Sequence, residues 1–177
     1  LKHYYRGGLI GKLNKDSYLF TSIEATRAVK EFRLLQWMYA NGLPVPTPIA
    51  CQIKKGLLTY QADIITSRIE QARDLVSILQ TEVVDEATWQ KIGQTIAKFH
   101  QLGVYHDDLN CHNILANEQG DIYLIDFDRG DQRLPDKTWQ QANLDRLLRS
   151  FNKELNRLPN FHWQESQWQA LLKGYQS

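Results

Sequence analysis

His106-Asp107-Asp108-Leu109-Asn110-Cys111-His112-Asn113-Ile114-Leu115, followed by Ile125-Asp126-Phe127-Asp128, is the stretch that decides the reading of this 177-residue chain. Upstream, residues 86–102 place Trp89, Ile92, Ile96 and Phe99 on one face of a 3.6-residue period, and Gly103 ends that helix. Downstream, Ile114-Leu115-Ala116 and Ile122-Tyr123-Leu124-Ile125 flank Asn117-Glu118-Gln119-Gly120, which predicts a hairpin. A polar loop, 105–113, therefore lies between a long helix and a hairpin whose second strand runs into Asp126.

The rest of the chain is mixed. A first helix is predicted at about 23–41, with Ala28, Phe32, Leu35 and Tyr39 on one face and Asn41-Gly42 as its stop. Pro44, Pro46 and Pro48 impose an extended segment. Strands follow at about 49–53 and 58–66, with Lys54-Lys55-Gly56 as the turn. A short helix is predicted at 72–80 with Leu75, Ile78 and Leu79 inward. From about 138 the chain is helical, and a last helix carries Trp168, Leu171, Leu172 and Tyr175. Trp163 and Trp168 fit core anchors better than the alternative, a membrane-facing edge. Strands, helices, hairpin and helices in this order suggest an α+β protein, with a strand-containing N-terminal lobe (1–70) and a mainly helical C-terminal lobe (71–177).

Composition narrows the classes. Hydrophobic residues make up 42% of the chain and charged residues 23%, a globular balance rather than a disordered one. No apolar run approaches the roughly 20 residues of a membrane span. Cys51 and Cys111 show neither a disulfide framework nor a metal spacing, so a reducing compartment is the default. Residues 1–60 hold nine Lys or Arg and three acids, whereas residues 61–177 hold twelve and seventeen. The basic end suits an anionic partner, and a solvated basic surface explains it equally well. No recognisable nucleic-acid motif accompanies it, so no nucleic-acid partner is expected.

The chemistry lies in the opening stretch. Asp108 in a loop, Asn113 five residues later and Asp126 at a neighbouring strand end can converge on one cleft. Their oxygens are hard ligands suited to Mg²⁺. A carboxylate beside such a metal can orient a hydroxyl for in-line attack on a phosphoryl group. Taken singly, an Asp-rich loop is usually a turn or a set of caps, and a single His is usually a packed residue. The combined pattern H-x-D-L-x-x-x-N-I-L, hairpin, I-D-F is far more specific.

That pattern resembles the catalytic loop and metal-binding motif of the protein-kinase-like superfamily. The resemblance implies a two-lobe kinase fold, with Asp108 as catalytic aspartate and Asn113 and Asp126 as metal-holding residues. It implies a structural His106, Lys2 on the ATP phosphates and Glu31 as the ion-pair partner of Lys2. Two departures stand out: Asp107 replaces the usual Arg, and Asp128 replaces the glycine of D-F-G. No A-P-E motif appears, and the short link from Asp126 to Trp139 favours a small-molecule or lipid-sugar acceptor over a protein.

More narrowly, the chain resembles the 3-deoxy-D-manno-octulosonic acid (Kdo) kinases. His3-Tyr4-Tyr5-Arg6-Gly7-Gly8-Leu9, Gly11-Lys12-Leu13-Asn14-Lys15-Asp16, Gly42-Leu43-Pro44-Val45-Pro46 and Tyr60-Gln61-Ala62-Asp63-Ile64 carry that likeness. It implies ATP- and Mg²⁺-dependent phosphorylation of the Kdo 4-hydroxyl on a Kdo–lipid A precursor during lipopolysaccharide inner-core assembly. The place implied is the cytoplasmic side of the inner membrane, as a peripheral protein. Arg6, Lys12 and Lys15 are then candidates to meet lipid A phosphates or anionic headgroups. The alternatives are a related small-molecule or heptose kinase, or a pseudokinase binding module; the intact Asp108, Asn113 and Asp126 argue against the last. No obligate protein partner is inferred. With Lys2 near the start and no Gly-x-Gly-x-x-Gly ahead of it, the expectation is an N-terminally truncated kinase that is weakly active or inactive.

Overall fold

A computed structural model describes residues 1–5 and 16–177. Arg6, Gly7, Gly8, Gly11, Lys12 and Lys15 lie outside the described residues. The chain divides into two compact units, one of residues 1–42 and 46–68, the other of 43–45 and 69–177. The class is α+β.

The first unit is an antiparallel sheet with one helix. Its strands are β1 (Lys2–His3), β2 (Tyr18–Leu19), β3 (Pro48–Lys55) and β4 (Thr59–Thr66). β4 is central: β3 runs along one edge, while β1 and β2 share the other at Ile64–Asp63 and Tyr60–Thr59. Its Tyr60, Ala62 and Ile64 are buried at every second position, the period of a strand with one core face. The turn falls at Gly56-Leu57-Leu58, because Lys55 still pairs with Tyr60. Both lysines predicted for the turn are therefore strand residues.

Helix α1 spans Arg27–Ala40 and starts later than predicted. Thr26 makes no side-chain cap; its hydroxyl turns back to the Ile23 carbonyl, and the Tyr60 hydroxyl accepts from the Arg27 N–H at 3.1 Å instead. The buried stripe is Ala28, Glu31, Leu34, Leu35 and Met38. Phe32 is only half-buried and Tyr39 is exposed, so the face is rotated from the apolar reading. Glu31 sits inside the stripe because it has a cation and a phenol to meet, as described below.

The second unit holds β5 (Ala72–Asp74), α2 (Leu75–Leu79), α3 (Glu86–Gln101), β6 (Val104–Tyr105), β7 (Ile114–Asn117), β8 (Ile122–Leu124), β9 (Asp131–Gln132), α4 (Lys137–Arg157) and α5 (Glu165–Tyr175). The predicted 72–80 helix is a strand followed by a single helical turn. Ala72–Asp74 pairs with Leu115–Asn117, and Asp74 then caps α2 by accepting from Ser77 N–H. Leu75, Val76 and Leu79 point inward, with Val76 taking the place expected of Ile78. The hairpin β7–β8 forms with Ile114 opposite Leu124. Trp89, Phe151 and Trp163 build an aromatic core, with Phe151 and Trp163 stacked at 4.3 Å. Trp168 joins Trp163 edge-on, and both are buried. Among the described residues, no helix is long and apolar enough to cross a membrane.

His100, at the end of α3, is buried and shares a hydrogen bond with the Tyr175 hydroxyl at 2.8 Å. Burial pushes its pKa down to about 4. Between pH 4 and 6.5 the unfolded chain takes up a proton here that the folded chain refuses, so stability falls as pH falls through that window. Between pH 7 and pH 5 this group is expected to remove about 2 kcal/mol of stability. His106, buried and shifted down for the same reason, adds to the slope. Urea unfolding at the two pH values checks this: His100→Gln should flatten the dependence and leave the part due to His106.

Candidate active site

The loop that carries Asp108 is fixed at its entry by a glycine. Gly103 has φ +76°, and a Cβ there would stand 2.0 Å from the Arg133 carbonyl oxygen. Without a side chain, Gly103 C=O accepts from Arg133 N–H at 2.8 Å, and β6 pairs with β9 immediately after. Tyr105 then faces Arg133, whose guanidinium lies 3.6 Å from its ring centre, and donates to Asp107 at 3.4 Å. Asp107, in the place of the expected Arg, thus belongs to a local network of its own.

His106 connects the loop to the hairpin. Its Nδ1 accepts from Asp108 N–H at 3.1 Å, so the ring proton resides on Nε2, which donates to Ile125 C=O at 3.0 Å. Burial holds His106 below its ordinary pKa, which keeps this neutral tautomer. Its ring rests on Phe127 at 4.6 Å, and Phe127 stacks on Phe99 of α3 at 5.6 Å. His106 is a packed connector, and its position fixes the backbone on either side of Asp108 and Asp126.

Asp108 is held by its main chain. Its C=O accepts from Asn110 Nδ2 and Asn113 Nδ2, each at 3.0 Å, and Leu109 is buried beneath. Asn110 also accepts from His112 N–H, which starts the 3-10 turn Cys111–Asn113. The Asn113 C=O accepts from Ile125 N–H at 3.1 Å, which sets the residue before Asp126 beside Asn113. Asp126 has φ +62°, the left-handed region that Asp tolerates better than most residues. Arg129 is left-handed too, whereas position 128 is not, so no glycine is needed there. That accounts for Asp128 in the D-F-D sequence.

The Asp108 side chain is half-exposed. Burial pushes its pKa up, but the Arg146 guanidinium outweighs that and holds it below the usual carboxylate range. Nearby, Glu154 is drawn down in the same way: burial raises it, and His112 and Arg157 more than compensate.

Lys2 and Glu31 meet within the first unit. Lys2 Nζ lies 2.9 and 3.1 Å from the two Glu31 oxygens. Tyr4 donates its hydroxyl to Glu31 and places its ring 5.0 Å from the ammonium. Glu31 is 4% exposed, so a paired cation and a phenol together satisfy a carboxylate in the core.

Two residues of α4 were not identified in the sequence. Asn143, buried, accepts from His106 N–H at 3.3 Å and donates to His106 C=O at 3.1 Å. Arg146, one turn on, reaches Asp108. Asn143 and Glu154 are polar residues on an otherwise apolar stripe with Leu144, Leu147 and Phe151, and that was the available signal.

Among the described residues, no three His, Cys, Asp or Glu side chains form a metal ligand set. The donors at hand are the Asn113 amide oxygen and the Asp126 carboxylate. The bond from Asn113 Nδ2 to Asp108 C=O spends the amide nitrogen and leaves the oxygen as the ligating atom. Few protein oxygens fit a hard cation that keeps waters and binds substrate phosphates.

Residues 1–175 match the lipopolysaccharide kinase (Kdo/WaaP) family. The chain belongs to that family. The 3-deoxy-D-manno-octulosonic acid kinase of Haemophilus influenzae (strain 86-028NP) is 52% identical over 160 residues, 88% of this chain and 66% of the relative. That of Vibrio parahaemolyticus is 53% identical over 155 residues, 88% and 65%. That of Actinobacillus succinogenes is 49% identical over 158 residues, 87% and 65%. The chain therefore spans just under two thirds of the length of these curated relatives. Its α+β architecture is that of the protein-kinase-like fold.

Proposed function

We propose that this chain acts as a kinase that transfers the γ-phosphoryl group of ATP to the 4-hydroxyl of Kdo on a Kdo–lipid A precursor. The observation that carries the reading is the joint fixing of Asp108, Asn113 and Asp126 by one loop, with neutral His106 bonded to both sides. In the transfer, the acceptor oxygen bonds to the γ-phosphorus, the bridge to the β-phosphate breaks, and the hydroxyl proton leaves toward Asp108. With its pKa held low, Asp108 acts chiefly by accepting a hydrogen bond and orienting the hydroxyl. Lys2, steadied by Glu31 and Tyr4, holds nucleotide phosphates. A divalent cation, taken to be Mg²⁺, would be held by Asn113 and Asp126 and would neutralise phosphate charge when bound.

Kdo phosphorylation in lipopolysaccharide synthesis would place the protein at an anionic inner-membrane surface. The basic N-terminal third, with Arg6, Lys12 and Lys15, suits that surface. One experiment tests both parts. The full chain is incubated with Mg-ATP and Kdo–lipid A precursor, heptosylated core or protein acceptors, in vesicles with and without anionic lipid. Phosphate on Kdo and co-sedimentation with anionic vesicles are expected. Transfer to heptose or protein alone would replace the acceptor assignment, and protein left in the supernatant would remove the membrane assignment.

A further inference from the structure

Helix α4 meets the catalytic loop through a second side chain whose capacity is only partly used. Arg146 donates from Nε to Asp108 Oδ1 at 3.0 Å and from a terminal nitrogen to the same oxygen. Neither contact falls on Oδ2. A guanidinium carries five N–H donors in a fixed plane. Two are spent on Oδ1, and no second acceptor meets the other three among the described residues. Arg146 and Asp108 are each about half exposed, at 48% and 51%, so those donors are open to a ligand.

The surroundings make this cation selective for an anion. Asp107 and Asp108 set two carboxylates side by side on the loop. An acidic acceptor approaching them is repelled unless a cation lies on its path. A fixed guanidinium fork matches a carboxylate, which can take two parallel hydrogen bonds. A sugar acid carries its carboxylate at a set distance from its ring hydroxyls. One side chain that grips both Asp108 Oδ1 and that carboxylate would therefore fix which hydroxyl reaches Oδ2.

We propose that Arg146 is the anion-binding residue of the acceptor site. Two of its donors stay on Asp108, and the remaining donors hold the carboxylate of a sugar-acid acceptor. This rests on the reading of the chain as a kinase of an acidic sugar. The test compares wild type, Arg146→Lys and Arg146→Gln in the full chain, with folding checked by circular dichroism. Binding of free Kdo and of its uncharged methyl ester is measured by calorimetry, apart from turnover. Wild type should prefer the acid, R146Q should bind acid and ester alike, and R146K should keep part of the preference. In turnover, R146Q should raise the acceptor KM about 10- to 100-fold and leave the KM for ATP within twofold.

A wild type without acid preference, or an R146Q that keeps it, overturns the proposal. So does a fall in kcat at unchanged acceptor KM, which would make Arg146 only a support for Asp108. Acid binding lost in R146Q, with no transfer to Kdo by wild type, would sustain the anion site and sink the kinase assignment instead.

Discussion

Asp108→Asn is expected to lower phosphoryl transfer about 10³-fold while nucleotide binding and folding persist. The expectation of an intact fold comes from how the loop is held. Asp108 contributes its N–H to His106 and its C=O to Asn110 and Asn113, and every residue keeps those groups. Its side chain meets Arg146 at a half-exposed pair, a class of contact worth about 0–1 kcal/mol. Asn keeps the shape but loses the negative charge that, in the proposed role, accepts the hydroxyl's hydrogen bond and orients it. Transfer assays with a parallel nucleotide-binding titration and a thermal melt separate the effects. A variant that retains a tenth of the wild-type rate would remove Asp108 from its assigned role.

The same arrangement explains which parts of the site the sequence exposes. Asp108, Asn113 and the hairpin lie within twenty residues of one another, and their spacing and turn residues are local signals. Gly103 as a helix stop and Trp89, Ile92, Ile96 and Phe99 as a buried face follow from periodicity alone, and all four side chains are buried. The support from α4 is different. Asn143 and Arg146 meet the loop 37 and 38 residues away in the chain, and a pattern of apolar residues passes over both. A buried Glu31 is invisible to an apolar period for the same reason, and its burial turns the face of α1 from the predicted one. The strand Ala72–Asp74 is three residues long, and its pairing with β7 spans about forty residues, so no local alternation marks it. The left-handed backbone at Asp126 has no signal in composition, because the residue there is not glycine.

Gly93→Ala and Gly174→Ala should each destabilise the second unit by about 3 kcal/mol, against the sign that helix propensity gives. Alanine within a helix is worth about 1 kcal/mol over glycine, so an isolated helix would gain from either change. Here α3 and α5 cross backbone to backbone. A Cβ on Gly93 would stand 2.0 Å from the Leu171 carbonyl oxygen, and one on Gly174 would stand 2.0 Å from that of Gln90. Neither obstacle is a side chain that can turn away. The helices must part by more than an ångström, which opens the buried surface around Trp89, Ile92, Trp168 and Leu171. Overpacking of this kind costs about 1–3 kcal/mol or more, and partial loss of that core adds to it. Gly120 provides the contrast: its Cβ would meet nothing within 4 Å, and only φ +76° opposes a side chain, a cost of about 1–2 kcal/mol. Urea unfolding followed by tryptophan emission should rank G93A and G174A well below G120A. Because α3 leads through Gly103 directly into the Asp108 loop, activity should fall with the unfolded fraction and recover as temperature is lowered. Equal stability of all three variants would mean that α3 and α5 do not touch at their glycines.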